Sequence, residues 1–142
     1  MRAESNLGGL LGKAARLMSN TLNARLKALG LTAQQWSLMA ELSHKGGRNQ
    51  TELAEALLKG KASVGSLIDY LEKKNCIARL PSPNDRRETI IALTPTGHAL
   101  FESAIPEAKG VIRTANNGVS PEDLATTQKV LQQIIHNLED SK

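Results

Sequence analysis

The chain has 142 residues, 40% hydrophobic and 23% charged, which is the balance of a single globular domain and excludes disordered and collagen-like classes. No apolar run approaches the roughly 18 residues of a membrane span, and Met1 to Gly12 lacks the basic flank, apolar block and cleavage site of a signal peptide, so a cytoplasmic protein is expected. The net charge is +4, the single cysteine (Cys76) excludes an internal disulfide or an all-cysteine metal site, and aromatics at 2% exclude a binder that stacks successive bases.

Leu7 to Leu29 repeats leucines at helical spacing (Leu7, Leu10, Leu11, Leu17, Leu22, Leu26), and Gly30 stands where a C-terminal cap belongs. Thr32 opens a second helix, with Gln35 completing a capping box. Trp36, Leu38, Met39 and Leu42 give its apolar face, and Gly46-Gly47 end it. Asn49 caps a short third helix with Leu53, Ala54, Leu57 and Leu58 as its buried side. Lys59-Gly60-Lys61 links it to a fourth, about Ala62 to Asn75, whose apolar side is Val64, Leu67, Ile68 and Leu71.

The period then changes to that of strands. Cys76–Leu80 and Glu88–Leu93 read as a hairpin around the polar loop from Pro81 to Arg87. Thr94-Pro95 restarts a helix, which Pro106 should kink. Asn116-Asn117-Gly118 breaks it, and Ser120-Pro121 opens a last helix with a stripe of Leu124, Leu131, Ile134, Ile135 and Leu138. The fold class expected is mainly α with a small β-hairpin.

Charge is uneven along this order. Residues 45–87 hold nine Lys/Arg against five Asp/Glu, whereas residues 88–142 hold four against seven. Two short helices with a tight link form a helix-turn-helix pattern, whose second helix would enter a major groove. Small outward residues there (Ala62, Ser63, Gly65, Ser66) would let the backbone approach DNA, and Ser63 and Ser66 can bond base edges or phosphates. The hairpin would be a wing, with Arg86 or Arg87 entering a narrow minor groove. Double-stranded DNA is therefore the expected partner. An enzyme is not expected: His44, His98 and His136 fall in three helices, and no nucleophile elbow, phosphate-cradling loop or metal-ligand pair occurs. No cofactor, metal or membrane is called for.

Several runs carry a family resemblance: Leu29-Gly30-Leu31-Thr32 with Trp36, Gln50-Thr51-Glu52-Leu53-Ala54, and Leu71-Glu72-Lys73-Lys74. Asn84-Asp85-Arg86-Arg87 before Leu93-Thr94-Pro95-Thr96-Gly97 is the most specific. In these the chain resembles the MarR family of winged helix-turn-helix regulators, especially its SlyA-like branch. The resemblance implies a homodimer on a pseudo-palindrome with half-sites roughly 34–36 Å apart. It implies an N-terminal dimerisation helix (1–30), a winged helix-turn-helix lobe (31–93) and C-terminal dimerisation helices (94–142). It also implies that Asp85 orients an arginine of its own loop, Arg87 before Arg86. Ser66 stands where SlyA-like members carry an arginine, so Lys59, Lys61 and Tyr70 are expected to share the DNA contacts.

Many members release DNA when a phenolic or other small anion binds, and Arg16, Trp36 and His44 are the residues expected near such an effector. Two alternatives stand beside this: a ligand-independent architectural or counter-silencing DNA binder, and a redox-responsive regulator acting through Cys76. The family's oxidant-sensing branch carries its cysteine in the first helix, which here has none. Cys76 is instead expected half-buried and inert where the fourth helix meets the wing.

Overall fold

The computed structural model of the chain describes residues 6–141. Arg2 and Glu4, and the start of the expected 1–30 segment, lie outside them. Six α-helices and one hairpin follow in order: α1 (Leu7–Leu26), α2 (Ala33–Lys45), α3 (Gln50–Leu57), α4 (Lys61–Lys73), β1 (Ile77–Pro81), β2 (Thr89–Leu93), α5 (Pro95–Ala115) and α6 (Pro121–Asp140). The expected mainly helical fold with a hairpin is what is observed.

Local caps explain most boundaries. Thr32 and Asn49 each accept from the backbone of the third helical residue, while Gln35 and Glu52 reach back to the cap backbone. Thr94 and Ser120 cap α5 and α6 ahead of a proline at the first helical position. Lys27–Leu29 tightens into a 3₁₀ turn instead of continuing α1, and Gly30 closes it at φ 72°. The helix of α5 runs without interruption through Pro106, which is exposed.

The core forms where α2, α3, α4 and the hairpin meet. Leu38, Met39, Leu53, Ile68, Leu71 and Ile91 are almost wholly enclosed. Each such side chain contributes about 2 kcal/mol by leaving water. The hairpin pairs Ile77 with Leu93 through to Pro81 with Thr89. A single residue before α3 adds a third rung: Arg48 N donates to Ile91 O at 3.0 Å, and Ile91 N donates to Arg48 O at 2.8 Å.

Two expectations of burial fail. Leu58 is 83% exposed, because α3 has already ended and Leu58 caps it in the left-handed region at φ 53°. Cys76 is 1% exposed, not half-buried, because the chain turns into β1 beneath the start of α5. The last helix stands apart. No residue of α6 is buried, and α6 has no extensive contact with any other element.

Candidate nucleic-acid interface

The turn between α3 and α4 is held by backbone bonds. Leu58 N donates to Glu55 O (3.2 Å) and Lys59 N to Ala54 O (3.0 Å). Gly60 caps α4 without a side chain, and Gln50 Nε2 donates to Lys61 O at 3.0 Å, locking the two helices together. Gly65 lies against that amide: a Cβ there would come 3.1 Å from Gln50 Nε2. Its small size thus serves the α3–α4 contact as well as any approach to DNA.

Lys61, Ala62, Ser63 and Ser66 are exposed at the start of α4. Ser66 Oγ donates to Ala62 O at 3.2 Å, which leaves its lone pairs free to accept. Lys59 is half-buried and shares a shallow groove of about 460 Å³ with Leu58, Lys61 and Glu55. Tyr70 is exposed but committed elsewhere. Its hydroxyl donates to Gly30 O at 3.0 Å, and Lys74 Nζ donates to the same carbonyl at 2.9 Å while lying 5.3 Å from the Tyr70 ring centroid. This clasp joins α4 to the corner between α1 and α2.

At the wing tip, Asp85 Oδ1 accepts from Arg87 N at 3.0 Å and lies 3.6 Å from Arg87 Nε. The Arg87 side chain is 93% exposed. The aspartate therefore fixes the root of Arg87 and leaves its guanidinium in solvent. Arg86 is also exposed. The base of the loop closes by Ser82 N donating to Glu88 O at 2.9 Å, and the Asn49 amide bonds the Glu88 carboxylate, tying the wing to the cap of α3.

Two arginines escaped sequence reasoning. Arg48 pairs with the Glu41 carboxylate and donates to the Glu41 carbonyl at 3.0 Å. Arg79, on β1, reaches back to α4 and meets Asp69 at 2.6 Å and Glu72 at 3.2 Å. Neither contact carries a local signal: the Arg48 backbone is held by Ile91, and Arg79 meets α4 only once the hairpin has folded back.

Burial pushes the Cys76 thiol up, opposed in part by the positive charge of Lys74. A thiol held protonated and enclosed is a poor nucleophile, which speaks against the redox alternative.

The three residues expected near an effector are not brought together. Trp36 stacks on Phe101, with ring centroids 5.1 Å apart, and its Nε1 donates to Phe101 O at 3.4 Å. It also lines a pocket of about 200 Å³ with Met18, Leu22, Ser37 and Val111, to which Arg16 and His44 do not contribute. Both of those are exposed. A larger groove, about 390 Å³, runs between α1 and α5 along Leu17, Met18, Thr21 and Val111. Among the described residues no helix is long and apolar enough to cross a membrane.

A helix pair with a locked turn, an exposed second helix and a hairpin with a basic tip define a winged helix-turn-helix protein. Residues 31–89 match the sequence model described as the MarR family. The chain is 27% identical over 130 residues to the multiple antibiotic resistance protein MarR of Salmonella typhimurium, covering 91% of this chain and 90% of that one. It is 25% identical over 125 residues to the regulator MhqR of Bacillus subtilis, covering 88% and 86%. Among solved structures it resembles a mutant MarR from E. coli complexed with operator DNA, at TM-score 0.83 and 24% identity, covering 90% and 92%. The match to the MarR family model thus covers residues 31–89, and the fold is the one that this solved MarR structure has.

Proposed function

We propose that this chain regulates transcription by binding a pseudo-palindromic promoter site as a homodimer. Lys61, Ser63 and Ser66 of α4 would face the major groove, Lys59 would meet phosphate, and Arg87, rooted by Asp85, would enter the minor groove beside Arg86. Tyr70 is proposed only as a support for this surface, given its bond to Gly30. Lys and Arg contacts to phosphate would supply most of the affinity. The SlyA-like branch remains the preferred placement on the strength of the wing run, with Ser66 as its departure.

The observation that carries the reading is the wing geometry: one carboxylate pins an arginine's backbone and leaves its side chain almost fully exposed at the wing tip. Dimerisation is supported by α6, whose Val130, Ile135 and Leu138 remain exposed in the single chain. In proteins most helix stability comes from packing an amphipathic face, and a second copy would supply that packing to this 20-residue helix. Residues 1–30 and 94–142 would then form the dimer layer around a 31–93 DNA lobe, working in the cytoplasm.

Release by a small phenolic anion would act at the pocket beside Trp36. A second, ligand-independent architectural reading draws on that pocket's size. About 200 Å³, with Trp36 stacked on Phe101, is below the ~300 Å³ at which small-molecule sites begin. Fluorescence anisotropy on promoter and scrambled duplexes, across a salt series with and without salicylate, decides among them. Preference for promoter DNA, weakened by salicylate, supports the ligand-released regulator. Preference that salicylate leaves alone favours a regulator without this effector. Equal binding to both duplexes favours the architectural reading, and absence of binding overturns both.

A further inference from the structure

An acidic residue on a helix that faces DNA is a liability, because phosphate repels it. Asp69 is such a residue. It lies on α4 three positions beyond Ser66, and its side chain is 65% exposed; Glu72, one turn on, is 44% exposed. Both are met by one cation, Arg79 of β1, at 2.6 Å through its terminal nitrogen and 3.2 Å through Nε. The guanidinium fork suits this, since it offers separate donors to two carboxylates in a fixed plane. These pairs are too exposed to add much to folding stability.

We propose that Arg79 is a positioning residue for DNA binding: it holds the Asp69 and Glu72 carboxylates on α4 and shields them from phosphate. The inference rests on the DNA-binding reading above. Charge counting gives it a sharp form. The trio carries a net −1 as it stands, −2 without the arginine, 0 with all three neutralised, and +1 with only the carboxylates neutralised. Exposed charges within a Debye length, about 8 Å at physiological salt, act on phosphate in that order.

The test uses a duplex that the wild-type protein selects from a random library. Failure to select any duplex refutes the DNA-binding reading itself, before Arg79 is examined. With a duplex in hand, Arg79→Gln is expected to weaken binding about tenfold near physiological salt. Adding Asp69→Asn and Glu72→Gln to that variant is expected to restore affinity to wild type or better. A triple variant as weak as Arg79→Gln would overturn shielding and make Arg79 a direct phosphate contact. An Arg79→Gln variant that binds like wild type would also overturn it. If Arg79→Gln does not fold, Asp69→Asn/Glu72→Gln alone decides: tighter binding than wild type supports shielding, and no gain refutes it.

Discussion

Gly97 has no room for a side chain because the Cys76 carbonyl fills it: a Cβ on Gly97 would stand 1.9 Å from Cys76 O and 2.9 Å from its carbon. The same carbonyl accepts from Thr94 N at 3.0 Å, and Thr94 Oγ1 accepts from Gly97 N while donating to Asn75 O at 2.7 Å. The first turn of α5 is thus stitched to the segment that leaves α4. The glycine of the Leu-Thr-Pro-Thr-Gly run is there for space, not for backbone freedom.

Gly97→Ala is expected to destabilise the fold by about 3 kcal/mol, at the upper end of overpacking costs, since backbone cannot yield as a side chain can. Urea unfolding followed by circular dichroism measures this. A loss below about 1 kcal/mol would mean that the seam opens easily.

Arg87→Ala should weaken binding to the selected duplex and reduce the slope of log affinity against log salt by about 1. Arg86→Ala should do less, since the Asp85 carboxylate bonds the Arg87 backbone. Reversed magnitudes in anisotropy titrations would assign the minor groove to Arg86.

Tyr70→Phe removes the hydroxyl bond to Gly30 O but leaves Lys74 on the same carbonyl. The expected cost is about 1 kcal/mol of stability, with DNA affinity nearly unchanged. Full stability together with a large drop in affinity would instead make Tyr70 a DNA contact, as its place on the fourth helix first suggests.

Burial raises the Cys76 thiol, so the folded chain holds that proton more tightly than the unfolded chain. Its contribution to stability is intact at neutral pH, where both states are protonated. It is lost as pH rises past the ordinary thiol range, about 8.5, toward the raised folded value. Cys76→Ala should flatten the alkaline fall in urea stability. The native thiol should also label slowly with a disulfide reagent at pH 7, and rapid labelling without unfolding would show that the site opens.

The helices were legible because their signals are local: leucine spacing, the Thr32 and Asn49 boxes, and proline after Thr94 and Ser120. The Asp85–Arg87 relation was legible only through the family resemblance of the Asn84-Asp85-Arg86-Arg87 run, and the Asp85 carboxylate does accept from the Arg87 backbone. Leu58 was misplaced because apolar spacing continues past the point where the backbone turns left-handed. Tyr70 meets Gly30 across 40 positions of sequence, and Arg79 meets Asp69 only once the hairpin has folded back. Arg48 supplies a strand of one residue, too short to leave any pattern.

In the proposed homodimer, the isolation of α6 within its own chain would tie its order to dilution. None of its residues is fully buried in the single chain, so on the proposed dimer reading a second copy would cover the exposed part of its apolar stripe. Scarce protein would hold a frayed tail, whereas abundant protein would hold a finished helix. The cell could then tune this molecule by copy number alone, with no ligand needed to set how much of it is fully built.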